Sequence, residues 1–184
     1  MGATGDTGRV AQSRILLIRA VNVGGATLPM AEFRELLVGL GASDVRTYIA
    51  SGNALVTIEG DVVAFDRAVE RAIEQRFGFF RECISRTPAE VGAALAAHPF
   101  EVVQPSYSYV NFLTEEPDAA AITKARSYPT GDDRWEIIGR DQHIRYAHGA
   151  GTAQMKVAPI AKALGVPGTA RNVKTVQALI DLAG

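Results

Sequence analysis

The chain has 184 residues, of which 47% are hydrophobic, and its 19 basic side chains nearly balance its 20 acidic ones. This balance excludes the strong global attraction to nucleic acid that a basic protein has. The single cysteine, Cys83, excludes an internal disulfide framework and a cysteine-rich zinc site. No apolar run approaches the roughly 18 to 20 residues that cross a bilayer. We therefore expect a cytoplasmic protein without a membrane partner.

The first elements along the chain predict a strand, a helix and a hairpin. Residues 1–13 are rich in Gly, Thr, Ala and Ser and are predicted to form a flexible lead-in. The apolar run 15–18 is typical of a buried strand. Pro29, followed by apolar residues at helical spacing, predicts a helix that stops at Gly41. Two β-prone runs, residues 45–50 and 54–59, flank a Ser-Gly-Asn turn and predict a hairpin.

The next elements complete a recognisable order. An apolar stripe over residues 62–77 predicts a second helix that ends at Gly78. Residues 79–85 predict a fourth strand, and a capping box from Thr87 to Glu90 starts a further helix. The order strand, helix, strand, strand, helix, strand is that of the split βαβ unit of ferredoxin-like folds. Residues 14–97 are therefore predicted to form a first ferredoxin-like half.

The second half follows a similar rhythm less clearly. The patterns predict a strand at 107–113 and a helix at 117–126. A hairpin of strands 134–139 and 143–147 follows, and then two helices at 156–164 and 172–182. We predict an α+β chain of tandem ferredoxin-like type. In this prediction a linker at 98–104 precedes a related second α+β half at 105–184.

Polar and glycine-rich motifs are predicted to meet at one edge of the first sheet. If the first strand pairs with the second strand of the hairpin, the loop carrying Asn22, Gly24 and Gly25 lies beside the turn of Ser51 and Asn53. Glycines expose backbone N–H groups, and a helix start carries partial positive charge. The combination suits a phosphate or a carboxylate, although the same residue types are also ordinary turn formers.

A third motif precedes the final helix. Asn172 is placed to cap that helix, whereas the guanidinium of Arg171 suits bidentate anion recognition. Lys156 follows a Gly-Ala-Gly turn and would add positive charge to the same edge. The candidate ligand-binding residues are Asn22, Gly24, Gly25, Ser51, Gly52, Asn53, Lys156, Arg171 and Asn172.

Other kinds of site find little support in the sequence. There is no P-loop and no Rossmann fingerprint, and no cofactor is indicated. His98, His143 and His148 lack the spacing of a zinc protease motif, so no metal site is predicted. His143 and His148 could nevertheless lie on one hairpin. Cys83 is interpreted as a small core side chain. Ser51 would act as a nucleophile only if a histidine and a carboxylate approached it in space.

The chain resembles a known family in several segments. Residues 19–25 (RAVNVGG), 28–34 (LPMAEFR), 45–53 (VRTYIASGN), 99–100 (PF) and 169–172 (TARN) with 175–176 (TV) look like the family of domain of unknown function 1697 (DUF1697). Ala20 and Val173 stand where the family usually has glycine and tryptophan. The resemblance covers nearly the whole chain and implies a fold of paired ferredoxin-like units. It implies no activity, substrate or catalytic residue.

Three functions are carried forward from the sequence. The first is a binding module for a small phosphorylated or otherwise anionic ligand such as a nucleotide, because glycine, hydroxyl, amide and guanidinium groups converge without an acid and base pair. The second is a hydrolase or transferase that acts on such a ligand, which a strongly shifted titrating group in the same cleft would favour. The third is a protein or nucleic-acid interaction module on an exposed sheet face.

Overall fold

The computed structural model describes residues 10–184, so most of the predicted lead-in lies outside the described residues. The first half contains β1 (Ala11–Ile18), α1 (Met30–Gly39), β2 (Ser43–Tyr48), β3 (Asn53–Glu59), α2 (Val62–Phe77) and β4 (Cys83–Arg86). The rest contains α3 (Pro88–Ala96), β5 (Ser108–Leu113), α4 (Ala119–Arg126), β6 (Arg134–Ile138), β7 (Asp141–Arg145), α5 (Val157–Leu164), β8 (Gly168–Asn172) and α6 (Val173–Ala183), with a short 3-10 turn at Ala150–Thr152.

The described residues thus form a mixed α+β fold with two four-stranded antiparallel sheets and six α-helices. The first sheet has the order β2-β3-β1-β4 and the second the order β6-β7-β5-β8. In both sheets the first strand of the half pairs with its third and fourth strands. The two halves therefore repeat one arrangement of strands.

Local signals set several helix ends as predicted. The hydroxyl of Thr87 accepts from the backbone N–H of Glu90, whose carboxylate accepts from the N–H of Thr87, so the capping box at α3 is confirmed. Gly78 ends α2 at φ +78°, a conformation that costs glycine little. Asn172 caps α6 by accepting from the N–H of Thr175 at 2.8 Å.

One strand was missed and four were placed with clearly different bounds, one of them β2, which is shifted by two residues toward the N-terminus. β8 spans Gly168–Asn172, where only a loop and a cap were predicted, because its polar sequence GTARN has no apolar alternation. Pairing with β5 makes it a strand. β1 starts earlier than predicted, β4 starts later, and β7 is shifted by two residues toward the N-terminus.

Three apolar clusters form the interior. One lies between the first sheet and the helices α1 and α2, and another joins the second sheet to α4 and α5. The third, here called the shared core, draws on both halves. It consists of Ile15, Leu17, Leu55, Ile84, Val91, Ala94, Val110, Phe112, Val176 and Leu179. The inner faces of the two sheets therefore meet across apolar side chains, with α3 and α6 packed against each other beside them.

The predicted linker, residues 98–104, has no regular secondary structure. The division of the chain into two halves at that point stays a prediction. In the described part of the chain, no helix is long and apolar enough to span a membrane.

Candidate functional site

Arg171 joins its own motif to the Ser51 turn and to the end of β1. From β8 its Nε donates to Oδ1 of Asn53 at 2.6 Å, and its Nη2 donates to the backbone carbonyls of Ser51 at 2.8 Å and Ile18 at 3.1 Å. Its Nη1 donates to the Thr169 hydroxyl at 2.7 Å and to a neighbouring carbonyl. A guanidinium has five N–H donors. The Arg171 junction, meaning this set of contacts, therefore fastens β8 of the second half to the end of β1 and the β2–β3 turn.

The charge of Arg171 has no carboxylate beside it. Within residues 10–184 no salt bridge includes this side chain, which is only 9% exposed. Burial lowers the pKa of Arg171 to about 10, so it remains a cation at neutral pH. The positive charge is stabilised by carbonyl, amide and hydroxyl oxygens, whose dipoles point at it.

The two predicted asparagines are also engaged inside the protein. Asn53 is fully buried, and its amide nitrogen donates to the Ser51 hydroxyl at 2.8 Å and to the carbonyl of Tyr48 at 3.2 Å. Asn22 holds the loop after β1 closed. Its amide nitrogen donates to the carbonyls of Ala50 and Leu28, and its amide oxygen accepts from the backbone N–H of Leu28. Neither side chain has a donor left for a ligand.

The predicted glycines divide into two kinds. Gly52 is buried at φ +75°, and a Cβ added to it would lie 2.6 Å from Cγ2 of Val21 and 3.0 Å from Cβ of Ile18. Only glycine allows the turn to approach β1 this closely. Gly24 and Gly25 also have positive φ, but a Cβ at either would meet nothing within 4 Å. Those two are exposed and form the open part of the predicted edge.

Lys156 and Asn172 do not join this arrangement as ligand groups. Lys156 is exposed just before α5, and its backbone N–H donates to the carbonyl of Pro129. No hydrogen bond among residues 10–184 links it to Arg171 or to the Asn22 loop. The Asn172 side chain is the cap of α6. The structure therefore brings the first-half motifs and Arg171 together and leaves Lys156 apart.

A different cavity gathers four arginines, of which one, Arg86, has no salt bridge in the described chain. It has a volume of about 240 Å³ and lies at the β4 edge of the first sheet, where the second half approaches. We call it the arginine pocket. Its polar lining residues are Arg14, Asp66, Arg67, Ser85, Arg86, Thr114 and Arg140.

Arg86 differs from the other arginines of the pocket. Arg67 pairs with Glu70 at 2.9 Å, while Arg140 and Arg14 lie 2.6 and 3.9 Å from Glu90. Arg86 is only 4% exposed and donates to the carbonyls of Ser85 and Leu113, and no salt bridge to it is present in the described chain. Burial, and then the charge of Arg140, lowers the pKa of Arg86. In the described chain no carboxylate lies within 4 Å of its guanidinium, although the negative charges of Asp141 and Glu90 oppose part of this lowering.

One further polar atom among the pocket's residues has no hydrogen-bond partner in the described chain. Nε of Arg14 is buried and makes no hydrogen bond, although Nη2 of that residue donates to the Ser85 hydroxyl at 3.1 Å. The Ser85 hydroxyl in turn donates to Oδ2 of Asp66 at 2.7 Å. Burial raises the pKa of Asp66, outweighing the opposing effects of Ser85 and Arg14. The pocket therefore offers N–H donors and one carboxyl that protonates unusually easily.

Few local features of the sequence point to this pocket. Its arginines lie at positions 14, 67, 86 and 140, on two strands, a helix and a turn, so no local spacing links them. None of these four residues was predicted to belong to a site. The one local clue is Arg86, a charged residue at the end of an otherwise small and apolar strand.

His143 and Cys83 are buried, His98 is half-buried and His148 is exposed. His143 does not pair with His148, as the predicted hairpin allowed, but contacts His98, with the two Nδ1 atoms 3.2 Å apart. Burial lowers the pKa of both rings, that of His143 to about 4. Burial raises the pKa of the Cys83 thiol well above its usual value. No group of three or more metal-ligating side chains occurs in the described residues.

The comparisons with known proteins agree with the fold. The family model described as "Protein of unknown function (DUF1697)" matches residues 12–142, so the chain belongs to that family. A solved structure of the conserved bacterial protein SP0830 from Streptococcus pneumoniae is similar, with a TM-score of 0.71 and 22% sequence identity. The alignment covers 95% of this chain and 100% of that one, and at this identity it shows the fold alone.

A second solved structure, of a candidate glycine cleavage system transcriptional repressor, aligns over 88% of this chain and 97% of its own. Its TM-score is 0.26 at 15% identity, which is too low to support an argument about either fold or function. No curated protein matches the chain.

Proposed function

We propose that this protein is a binding module for a small anionic ligand and that the arginine pocket is its site. The observation that carries the proposal is Arg86, a guanidinium that is 4% exposed and has no carboxylate partner among the described residues. Burying an unpaired charge is costly, and an anion in the pocket would offset that cost. The matching strand orders support treating each half as a ferredoxin-like unit, with the site where the halves meet. A cytoplasmic location remains part of the proposal.

The pocket's size limits the ligand class. Its volume of about 240 Å³ lies below the ~300 to 1,000 Å³ of most small-molecule sites. A phosphate, sulfate or carboxylate group fits such a volume, and guanidinium groups bind these anions in bidentate geometry. A larger phosphorylated ligand would place its charged group in the pocket and the remainder outside.

An enzyme acting on the same ligand is the second candidate. The Asp66 carboxyl, whose pKa is raised by burial, contacts the Ser85 hydroxyl beside the arginines. A carboxyl with a raised pKa near an anion site is suited to general acid or base chemistry. Hydrolysis of a generic phosphomonoester by the wild type, lost in Asp66→Asn while sulfate binding persists, would favour this candidate over a simple binding module.

Sulfate binding tests the proposed site. We expect sulfate to bind the wild-type protein, and Arg86→Gln or Arg14→Gln to weaken binding at least about tenfold, because each removes a charge-assisted hydrogen bond. Isothermal titration calorimetry measures the affinity, and circular dichroism verifies that each variant is folded. Arg76→Gln is the matched control, since Arg76 is an exposed arginine paired with Glu32 and Glu35 away from the pocket. Equal affinities in all four proteins would refute the site.

The pH dependence of sulfate affinity tests the part played by Asp66. Sulfate keeps its double charge over the range in which the protein is folded, so changes in affinity report on the protein. Above the raised pKa of Asp66 its carboxylate repels the anion, and below it the neutral acid does not. Affinity should rise roughly fivefold, about 1 kcal/mol, as pH falls through that pKa. Asp66→Asn should bind with the tighter affinity at every pH; a slope that persists in this variant would contradict the assignment.

A further inference from the structure

A second cleft lies in the second half of the chain. It has a volume of about 540 Å³, within the ~300 to 1,000 Å³ typical of small-molecule sites. Asn111 of β5 and Gln142 of β7 line it together with Arg19, Lys162 and the segment from α5 into β8. None of the residues predicted from the sequence to bind a ligand belongs to it.

The two amides form a cross-strand pair with unused groups. Asn111 and Gln142 are direct neighbours in the β5–β7 register, and the Asn111 amide nitrogen donates to the Gln142 amide oxygen at 2.9 Å. Each side-chain amide has an NH₂ group and a carbonyl. One bond between them leaves one NH₂ and one C=O free. If both amides are flipped, Gln142 donates to Asn111 instead, and one NH₂ group and one C=O group again remain free.

A ligand in the cleft can form hydrogen bonds with the free NH₂ and C=O groups of this amide pair. Gln142 is 4% exposed, and no described residue accepts from its amide nitrogen. Because that nitrogen has no partner and yet is not fully enclosed, it is accessible to a ligand in the cleft. Gly168 allows β8 to run close by, because a Cβ there would lie 2.6 Å from Oδ1 of Asn111. The free donor and acceptor would match a planar group that has an acceptor and a donor side by side.

Two cations complete the lining. Lys162 is exposed on α5, and Arg19 reaches the cleft while it contacts Glu82 at 3.2 Å. They favour a negatively charged substituent on the planar group. We infer that the amide pair Asn111–Gln142 and the cations Arg19 and Lys162 form a second binding site, which takes a nucleoside monophosphate or a ligand of the same chemistry. The inference is independent of the arginine pocket, since the two cavities share no lining residue.

Titration of the ¹⁵N-labelled protein tests the second site with adenosine 5′-monophosphate, adenosine and ribose 5-phosphate as probes. We expect the monophosphate to shift the side-chain amide resonances of Asn111 and Gln142, and ribose 5-phosphate, which has no base, to leave them unchanged. Lys162→Ala should weaken monophosphate binding about fivefold and leave adenosine binding unchanged, since Lys162 is an exposed charge. Amide shifts that are absent with the monophosphate, or equal with ribose 5-phosphate, would overturn the inference.

A double variant separates binding from folding. Asn111→Leu with Gln142→Leu replaces both partners of a hydrogen bond by apolar groups of similar size, a change that is close to neutral for stability. We expect this variant to fold, to retain sulfate affinity at the arginine pocket and to lose at least about tenfold in monophosphate affinity. Unchanged monophosphate affinity in the folded double variant would refute the site without affecting the proposed anion site.

Discussion

Arg171→Ala is expected to lower the free energy of unfolding by about 4 kcal/mol, because it leaves several buried acceptors without a donor at ~1 to 3 kcal/mol each. The acceptors that lose their hydrogen bond include Oδ1 of Asn53 and the carbonyls of Ser51 and Ile18. Urea denaturation followed by circular dichroism measures the change. Arg171→Lys should recover less than half of the loss, since an ammonium donates from a single nitrogen and cannot reach all the acceptors arranged around the edges of the planar guanidinium.

Arg76→Ala is the control for that loss. Arg76 lies 3.1 Å from two carboxylates, those of Glu32 and Glu35, and yet its side chain is exposed. Exposed ion pairs add little to stability because water solvates the separated charges well. Arg76→Ala should therefore leave the urea midpoint nearly unchanged. If Arg171→Ala proved as stable as Arg76→Ala, the Arg171 junction would not hold the two halves together.

Gly52→Ala is expected to cost about 3 kcal/mol. The new methyl group would enter the space of Val21 and Ile18, and overpacking of this kind costs ~1 to 3 kcal/mol. The positive φ of +75° adds ~1 to 2 kcal/mol for any residue with a Cβ. Because the turn carries the Ser51 carbonyl that Arg171 binds, the substitution also strains the junction.

Gly24→Ala separates the cost of overpacking from the cost of a positive φ. Gly24 has a similar φ of +60°, but a Cβ there meets nothing within 4 Å. This variant should lose only the conformational contribution, ~1 to 2 kcal/mol. Thermal or urea unfolding of both variants measures the difference between them. Equal losses would show that the close approach of the turn to β1 contributes nothing beyond backbone conformation.

The sequence predicted where motifs meet better than what they do. Strand and turn signals correctly placed the Asn22 loop beside the Ser51 turn, because strand pairing follows from the order of elements. The same residues were interpreted as ligand groups since amides and guanidinium groups bind anions. Whether a donor faces a ligand or a buried carbonyl depends on tertiary contacts such as that between Arg171 and Asn53, 118 positions apart.

Two other features required the folded structure. β8 contains no large apolar residue and becomes a strand through pairing with β5. The arginine pocket brings together Arg14 of β1 and Arg140 of the β6–β7 turn, which are far apart in the sequence. The electrostatic potential of the pocket depends on which arginines already have carboxylate partners. These pairs are not local in the sequence, since Arg140 and Glu90 are 50 positions apart. Local patterns predict elements and caps, whereas charge balance at an interface between halves is a property of the fold.

The most direct test of the central claim is the position of a bound anion. Crystals of the wild-type protein equilibrated with selenate, a heavier analogue of sulfate, would locate it by anomalous scattering. A peak within hydrogen-bonding distance of Arg86 and Arg14, lost in crystals of folded Arg86→Gln, is the result expected if the arginine pocket binds anions. A peak at the Gly24–Gly25 loop instead, or none in the pocket at selenate concentrations that saturate binding in solution, would contradict it.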